Sequence, residues 1–474
     1  MTLPAKFVER VLRDLGGTEG AALCAALDAE PPVSVRLNPA KTGADTLPAG
    51  PDAGLPVPEA AGLPALAIAG RVPWSRDGRY LAVRPSFTLD PDFHAGAYYV
   101  QEASSQFVGH LLAAVRTEGA RILDLCAAPG GKTTLYASLA GPDGLVVANE
   151  IDRRRASVLA DNVRKWGTGN VAVTTCEPRA LGDFEAWFDV VAVDAPCSGE
   201  GMFRKDSDAR GEWSEGNVKQ CAARQDEILR EAWRALKPGG TLVYSTCTFN
   251  RDEDEGALER MAAWAGDEIA ESEETAVEDA WGIVCGRVGA FRTFRFYPHR
   301  TCGEGFFAAV ARKSFDAGGR VRAPKARRTV FAAVDRKTVG ELARWVRNPG
   351  GMRFAAVADT CYAWYAAQAD AVRTLSEALP VIYSGVALGQ VFKGVLKPDP
   401  ALAFFDGLNR GALPAAELDD EETLRFLRRQ DIAAGGLAEG MNLVCSRGRA
   451  LGFAKRIGAR VNNLYPNSLR IIKQ

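Results

Sequence analysis

Short apolar runs alternate with amphipathic helical stretches through the middle of the chain, from about Ala97 to about Ala311. Apolar runs bounded by turn residues predict buried strands, and the helical patterns between them predict the crossover connections of a parallel sheet. The predicted strands are Arg121–Cys126, Leu145–Glu150, Val171–Thr175, Phe188–Asp194 and Thr241–Thr246. The helix before the last strand is predicted to end at residues 237–240. This pattern indicates an α/β fold whose ligands bind beyond the carboxyl ends of the strands.

The flanking regions have a different pattern. Two short helical patterns precede an extended segment at Val33–Pro39, and a Gly-, Pro- and Ala-rich stretch from Lys41 to Gly70 predicts a loop. Residues 251–280 are acidic and predict an exposed helix and loop, whereas residues 315–328 predict a basic linker. The C-terminal tail has no acidic residue after Glu439, and its basic residues are Arg447, Arg449, Lys455, Arg456, Arg460, Arg470 and Lys473.

Composition narrows the class of protein. The chain has 474 residues, 47% of them hydrophobic and 25% charged, which predicts a packed globular protein with more than one domain. Its 58 basic and 59 acidic residues nearly cancel, so a surface for nucleic acid has to arise from local segregation of charge. We find no signal-peptide pattern and no apolar stretch of membrane-spanning length, and we expect a cytoplasmic protein without membrane association. Ten cysteines without a Cys-x-x-Cys pair disfavour a disulfide framework and predict no metal site.

A Gly-rich turn follows the first central strand. The segment from Asp124 to Thr133 ends a strand in an acid and begins a helix, without the spacing of a P-loop or of a dinucleotide-binding motif. Glycines allow a ligand to approach the backbone, and a helix N-terminus offers free N–H groups. Glu150 ends the next strand, where a carboxylate can accept hydrogen bonds from two ribose hydroxyls. Together these features predict a ligand that contains adenosine; the alternative is an ordinary tight turn between strand and helix.

Two cysteines follow the last two predicted strands. Asp194 and Cys197 lie after the fourth strand and Cys247 after the fifth, and neighbouring strands are about 4.8 Å apart, so all three side chains can face one planar base. C5 of cytosine is a poor nucleophile, but addition of a thiolate at C6 converts C5 into an enamine carbon that can accept a methyl group. A base must then remove the C5 proton, which gives a second thiol a role. The alternative is an inert cysteine in a proline-stiffened turn.

These motifs closely resemble those of the Sun family of RNA cytosine-5 methyltransferases. The resemblance covers residues 124–133, 150, 194–199 and 245–248, and it extends to residues 99–105, 296–299 and 303–307. It implies a Rossmann-like class I methyltransferase core that uses S-adenosyl-L-methionine. It also implies that Cys247 is the nucleophile, that Cys197 assists elimination, and that Asp194 contacts the base or the cofactor. The cofactor-binding positions that it implies are Cys126, Ala127, Ala128, Pro129, Gly130, Gly131, Lys132, Glu150, Glu177 and Asp194. The family has an Asp where this chain has Glu177.

The flanks are similar to those of the RsmF-type subgroup, at residues 3–4, 32–38, 452–455, 463–466 and 469–470. This similarity implies a PUA-like, β-rich RNA-binding domain and, as substrate and partner, small-subunit ribosomal RNA, either naked or within the assembled subunit. The basic tail independently suits contact with phosphates, although a solvated surface would have the same composition. We expect a monomer. The predicted domains are a small α/β substrate-binding extension (1–96), the catalytic domain (97–314), a basic linker with a small connecting domain (315–375) and the PUA-like domain (376–474).

Other functions fit the sequence less well. Transfer RNA is an alternative substrate. A DNA cytosine-5 methyltransferase would use Cys197 as its nucleophile, and the additional Cys247 argues against this class. An amino-group methyltransferase would have an Asn/Asp-Pro-Pro-aromatic motif, which Asp194 does not begin. A non-catalytic RNA-binding assembly factor is disfavoured because both cysteines are present. Trp166, Trp187 and the three histidines are predicted to be structural.

Overall fold

The N-terminal region forms a helical hairpin followed by a small sheet. The computed structural model describes residues 2–43 and 63–472, so most of the predicted loop between Lys41 and Gly70 lies outside the described residues, as does Lys473. The elements of this region are α1 (Ala5–Leu15), α2 (Gly17–Leu27), β1 (Val33–Leu37), α3 (Pro39–Thr42), β2 (Ile68–Arg71), β3 (Gly78–Leu81), α4 (Pro91–His94) and β4 (Tyr98–Val100). The strands pair in the antiparallel order β2-β3-β1-β4, so this sheet runs across the predicted domain boundary at residues 96–97.

The central region is an α/β sandwich. Its strands are β5 (Arg121–Asp124), β6 (Leu145–Asn149), β7 (Val171–Thr174), β8 (Phe188–Asp194), β9 (Leu236–Thr246), β10 (Ile269–Ala270), β11 (Val284–Val288), β12 (Phe291–Phe296) and β13 (Phe306–Lys313). Its helices are α5 (Phe107–Ala113), α6 (Gly131–Ala140), α7 (Arg153–Trp166), α8 (Pro178–Gly182), α9 (Ser207–Glu212), α10 (Glu215–Ala235) and α11 (Glu255–Ala265). All five predicted strands are therefore confirmed as strands. Four of them agree within two residues at each end, whereas β9 begins at Leu236, five residues before its predicted start at Thr241.

The order of the strands places the two cysteine-bearing loops side by side. Strands β7, β6, β5, β8 and β9 are parallel neighbours, and β13 and β12 continue the sheet in antiparallel orientation. The five parallel strands are almost completely buried, as expected when helices cover both faces. The helix before β9 is shorter than predicted: α10 ends at Ala235, because the buried Leu236 already pairs with Phe188 of β8 and residues 237–240 continue as an irregular strand.

A strand from the C-terminal half completes the core sheet. The elements that follow the linker are α12 (Arg336–Ala343), β14 (Met352–Val357), β15 (Thr360–Tyr365), α13 (Ala369–Ala378), β16 (Val381–Ser384), β17 (Val386–Phe392), β18 (Val395–Pro398) and α14 (Pro400–Phe404). Strands β14, β15, β17 and β18 form a separate antiparallel sheet, which spans the predicted boundary at residues 375–376. Strand β16 instead pairs with β7 at the edge of the core sheet. The division into domains therefore stays a prediction.

The last module is a second small β-rich unit. It consists of β19 (Ala415–Glu417), α15 (Asp420–Leu427), β20 (Gly440–Ser446), β21 (Arg449–Ile457) and β22 (Arg460–Asn463), with the strands in that order in one sheet. Among residues 2–43 and 63–472, no helix combines the length and the apolar character that a membrane span requires.

Part of the basic tail is used inside the protein. Arg447 and Arg449 both pair with the buried carboxylate of Asp92 in the N-terminal region, at N–O distances of 2.9 and 2.8 Å. Arg447 also pairs with Asp90 and Asp420. The interpretation of the whole tail as an exposed phosphate-binding surface is therefore wrong for these two arginines. Asp90 and Asp92 lie more than 300 residues away from these arginines along the chain, which composition alone cannot reveal.

Asp92→Ala tests this link between the two ends of the chain. The substitution leaves two arginines beside a buried site without their shared carboxylate, and we expect the free energy of unfolding to fall by about 3 kcal/mol. Urea unfolding followed by circular dichroism measures it. The control is Asp370→Ala, because Asp370 is 94% exposed and also pairs with an arginine, and a change within about 0.5 kcal/mol is expected there. Equal effects at the two positions would contradict the structural role of Asp92.

Candidate active site

The predicted functional residues lie along one edge of the core sheet. The turns after β5, β6, β8 and β9 all emerge at the carboxyl ends of parallel strands, which is where open α/β sheets bind ligands. Asp194 of β8 stands opposite Ser245 of β9, so the loops that carry Cys197 and Cys247 begin side by side. The crevice between these loops and the turn after β5 is the candidate active site.

The Gly-rich turn after β5 is held from several sides. Gly130 has φ 112°, a conformation that favours glycine, and it precedes the first residue of α6. No side chain caps α6, which leaves the first N–H groups of this helix available to a ligand. The hydroxyl of Tyr99 and the side-chain amide of Asn162 both donate to the carbonyl oxygen of Pro129, at 3.2 and 2.8 Å. The turn is therefore a fixed cradle of backbone groups.

Asp124 ends β5 beneath this turn and accepts a 2.6 Å hydrogen bond from the hydroxyl of Thr133. Burial raises the pKa of the Asp124 carboxyl group to about 7; the bond from Thr133 opposes this rise, and the nearby carboxylate of Asp194 adds to it. The carboxyl group thus joins the strand end to the first turn of α6, and it titrates close to neutral pH.

The carboxylate of Glu150 connects the second strand with the Gly-rich turn. It is buried, accepts a 3.0 Å hydrogen bond from the backbone N–H of Asp152, and pairs with Arg155 at 3.1 Å. Arg155 in turn donates to the carbonyl oxygen of Ala128. A carboxylate has about four acceptor positions, so Glu150 keeps capacity for ribose hydroxyls. Glu177, in contrast, is exposed, and its side chain makes no hydrogen bond or ion pair with any described residue.

The two candidate catalytic thiols are in direct contact. The Sγ atoms of Cys197 and Cys247 lie 3.1 Å apart, and the backbone N–H of Cys247 points at the sulfur of Cys197 at 3.4 Å. This contact with Cys247, together with burial, raises the pKa of the Cys197 thiol well above its ordinary value. Cys197 therefore retains its proton at neutral pH and can donate it towards Cys247. All ten cysteines are free, and no group of three or more metal-ligating side chains occurs within residues 2–43 and 63–472.

An ion pair lies between the thiols and the Gly-rich turn. Lys132 Nζ is 2.8 Å from one oxygen of Asp194, and the hydroxyl of Ser245 donates to the other oxygen at 2.9 Å. Burial acts to lower the pKa of Lys132, but the carboxylate of Asp194 and the neighbouring Asp124 and Cys247 outweigh it, so the net effect raises the pKa. The side chain of Asp194 is 36% exposed, which leaves it accessible to a base in the crevice.

Two buried glutamates that no sequence motif indicated fix the cysteine loops. Glu253 accepts hydrogen bonds from the backbone N–H of Ser198 and from the side chains of Asn250 and Gln225, at 2.8–2.9 Å. Glu200 accepts from the hydroxyl of Thr248 at 2.8 Å and from the backbone N–H after it at 2.9 Å. Each carboxylate thus holds the loop of one cysteine to a neighbouring segment, which limits how far the two sulfurs can separate.

The prediction that residues 251–280 are exposed is wrong at their start. Glu253 and Asp254 are completely buried, and Asp254 accepts from Thr246 at 2.6 Å and pairs with Arg295 at 3.0 Å. The density of acidic residues suggested a solvated surface. The arginine that neutralises Asp254 is supplied by β12, about 40 residues further along the chain, so no local pattern indicated burial.

The N-terminal region supports the site at two points. Phe7 of α1 packs edge-on against Phe203 and Trp213, with ring centroids 5.0 and 5.9 Å apart, next to the cysteine loops. Arg36 of β1 is buried, donates to the carbonyl oxygen of Gly131 at 3.0 Å, and lies 4.5 Å from the ring centre of Trp166. Burial lowers the pKa of Arg36 to about 10, so it remains a cation at neutral pH. The predicted structural role of Trp166 is confirmed, since its ring is buried.

Comparison with known proteins identifies the family. The chain is 32% identical over 418 residues to ribosomal RNA small subunit methyltransferase F of Shewanella loihica, covering 84% of this chain and 83% of that protein. The protein of the same name from Klebsiella pneumoniae is 32% identical over 424 residues, with 84% of each chain covered. The chain belongs to the ribosomal RNA small subunit methyltransferase F family. Membership confirms the resemblance found in the sequence.

Three regions of the chain match family models. Residues 3–103 match the N-terminal domain of 16S rRNA methyltransferase RsmF, residues 111–312 match 16S rRNA methyltransferase RsmB/F, and residues 414–471 match the methyltransferase RsmF PUA domain. These matches confirm the predicted fold class of an α/β methyltransferase core with an N-terminal extension and a C-terminal PUA-like domain.

Solved structures support the same fold for the chain. A methyltransferase homologue from Pyrococcus horikoshii is 27% identical with a TM-score of 0.53, covering 65% of this chain and 94% of its own. NSun6 from the same organism has a TM-score of 0.53 at 20% identity, covering 65% of this chain and 98% of its own. The predicted enzyme class, a methyltransferase dependent on S-adenosyl-L-methionine, is confirmed at the level of the family.

Asp124→Asn tests the protonation of the buried Asp124 carboxyl group at the end of β5. The pKa of about 7 in the folded state exceeds the value of about 3.9 expected in the unfolded chain, so the folded state binds more protons between these values. The contribution of Asp124 to stability therefore decreases as pH rises from about 4 to about 7 and is constant above that window. Asn keeps an acceptor for Thr133 without titrating. The stability of the variant relative to wild type should rise by up to about 4 kcal/mol across the window, measured by urea unfolding. A difference independent of pH would contradict the assignment.

Proposed function

We propose that the protein transfers a methyl group from S-adenosyl-L-methionine to C5 of a cytosine in small-subunit ribosomal RNA. Family membership supports the reaction class, and the names of the relatives support the substrate. The observation that carries the chemistry is the contact of two thiols, 3.1 Å apart, beside the accessible carboxylate of Asp194. A nucleophile alone needs no second thiol at this distance, whereas the elimination that follows addition needs a base, and the second thiol can take this role.

The donor set at the sheet edge fits the cofactor. S-adenosyl-L-methionine supplies the methyl group when it is bound. The residues that would hold it are those of the Gly-rich turn, with the uncapped N-terminus of α6, and Glu150, whose remaining acceptor capacity suits ribose hydroxyls. Glu177, exposed and without partners, follows β7 where the family has an Asp, and we retain it as a proposed cofactor contact.

Cys247 acts as the nucleophile in this mechanism. Its thiolate, which accepts a hydrogen bond from the Cys197 thiol and lies near the Lys132 ammonium, adds to C6 of the cytosine. The new S–C6 bond uses the sulfur electron pair, and the C5=C6 electrons then form the C5–methyl bond, while the bond between the methyl carbon and its donor breaks and its electrons stay on the donor. Asp194 accepts a hydrogen bond from the exocyclic amine or from a protonated N3, which stabilises the charge that develops on the base.

Cys197 takes part in the release step. In the free enzyme the hydrogen bond to Cys247, together with burial, raises the pKa of Cys197 and so holds its proton. Once the Cys247 sulfur is bonded to carbon it no longer accepts this hydrogen bond, so Cys197 can release its proton to solvent and, as a thiolate, remove the C5 proton. The C5–H electron pair reforms C5=C6, and the S–C6 bond breaks with its electrons returning to Cys247. The methylated base is then released, Cys247 is again a thiolate, and Cys197 carries the proton taken from C5.

RNA recognition is assigned in this proposal to the flanking modules. Residues 414–471 match a PUA domain, and Lys455, Arg456, Arg460 and Arg470 remain as basic side chains of this module that form no ion pair with described residues. We propose that the substrate is the RNA of the small ribosomal subunit, and that the protein acts as a monomer in the cytoplasm.

Cys247→Ala and Cys197→Ala separate the roles of the two thiols. With cofactor and a small-subunit ribosomal RNA transcript, Cys197→Ala should accumulate a protein–RNA adduct that resists denaturation, because addition proceeds and elimination does not. Cys247→Ala should form no adduct and no 5-methylcytosine, measured by gel shift under denaturing conditions and by bisulfite sequencing.

Cys221→Ala is the matched control, since Cys221 is buried on α10 outside the crevice, and it should methylate as wild type does. Normal methylation by Cys247→Ala would refute the mechanism. An adduct formed by Cys247→Ala and lost in Cys197→Ala would assign the nucleophile to Cys197, as in the DNA-type enzymes.

Glu150→Ala tests the cofactor site. Removal of the carboxylate that accepts ribose hydroxyls should weaken binding of S-adenosyl-L-methionine by about tenfold or more, measured by isothermal titration calorimetry without RNA. Glu177→Ala is compared in the same assay, and its proposed contact predicts a smaller loss of affinity. Unchanged affinity in Glu150→Ala would remove Glu150 from the cofactor site.

A further inference from the structure

A second cleft lies on the other side of the Gly-rich turn, between the N-terminal sheet and α7. Its volume is about 280 Å³, and its walls come from the segment before β4, from β4 itself and from the C-terminal half of α7. The wall nearest the active site consists of Tyr99 and Asn162, the two side chains that donate to the carbonyl oxygen of Pro129. An occupant of this cleft would therefore lie against the outer side of the proposed cofactor turn.

The cleft is lined mainly by aromatic rings. Phe87, Phe93 and Tyr98 contact one another, with ring centroids 6.0–6.4 Å apart. Phe87 and Phe93 are only half-buried, so part of each ring faces the cleft. Half-exposed rings next to cationic groups are the usual platform for unpaired bases, since every base offers a π face to stack on an aromatic side chain.

Two cations complete the lining. The guanidinium of Arg84 lies 5.4 Å from the ring centre of Phe87, and the ammonium of Lys165 lies 4.7 Å from that of Phe93. Arg84 is exposed and forms no ion pair with any described residue. No Asp or Glu among the described residues lines the cleft, and Asp90 accepts from the hydroxyl of Tyr98 behind it. The cleft therefore combines stacking surfaces with positive charge from Arg84 and Lys165.

We propose that this cleft binds one unpaired nucleotide of the substrate RNA, with its base on Phe87 or Phe93 and its phosphate at Arg84. This inference rests on the proposed function, which makes RNA the substrate, and it adds a binding site apart from the target cytosine. The amide of Asn162 can contact a base edge from the adjoining wall. Because Tyr99 and Asn162 also hold Pro129, the bound nucleotide lies beside the catalytic crevice.

Two substitutions separate the contribution of base stacking to RNA affinity from the contribution of charge. Binding of a fluorescent small-subunit ribosomal RNA fragment is measured by anisotropy across a range of salt concentrations, without cofactor. Phe87→Leu keeps an apolar side chain and removes the ring; we expect about tenfold weaker binding with an unchanged salt dependence. Arg84→Ala should lower the slope of log affinity against log salt by about 0.7, the value for one phosphate of a single strand. Phe87→Tyr should restore binding to within about twofold.

Arg373→Ala is the charge-matched control, because Arg373 is an exposed arginine on α13 that does not line the cleft. Thermal unfolding should be the same for Phe87→Leu and Phe87→Tyr. Wild-type affinity in both Phe87→Leu and Arg84→Ala would overturn the inference, as would an equal loss in Arg373→Ala. A third result would also overturn the inference: free cytidine monophosphate binds the protein to saturation, but neither variant changes the affinity for RNA. Since the assay needs no methyl transfer, failure of the catalytic proposal is detected separately by the absence of 5-methylcytosine in the wild-type reaction.

Discussion

The active site depends on the parallel pairing of β8 with β9. This pairing sets Asp194 opposite Ser245. It also brings together two loops that are distant in sequence, so that the sulfur atoms of Cys197 and Cys247 are in contact. Loops alone would not keep such a spacing, because connecting segments are the more mobile parts of a protein. The buried carboxylates of Glu253 and Glu200 restrict them. A buried carboxylate is costly unless it is hydrogen-bonded, and each of these is satisfied by several donors from the loops themselves.

Side-chain contacts between residues that are distant in the sequence also join the modules. Arg36 reaches from the first sheet to the start of α6, and Arg447 and Arg449 reach from the last module to Asp92. Helix α1 packs its phenylalanine beside the cysteine loops. The flanking regions are therefore part of the framework of the catalytic centre, and their effect on the reaction does not require contact with substrate.

The sequence predicted the features that are local in the chain. Buried parallel strands have continuous apolar runs, and the residues at their carboxyl ends follow directly, so the core strands and the edge that gathers Asp124, Glu150, Asp194 and Cys247 could be located. Features that depend on a distant partner could not. No residue near Asp254 in the sequence indicates that it pairs with Arg295. Likewise, no residue near Val381–Ser384 indicates that this strand pairs with β7. The end of α10 was missed for a similar reason, since Leu236 is drawn into the sheet by Phe188.

Strand β16 gives the core sheet a particular order of assembly. Its partner β7 occupies residues 171–174, whereas β16 begins only at residue 381. The ribosome therefore synthesises β16 about two hundred residues after β7. A nascent chain that has completed the catalytic core therefore presents a strand with unpaired backbone groups, the kind of edge that recruits other chains. The C-terminal half protects the finished enzyme from this hazard by covering the edge with a strand of its own.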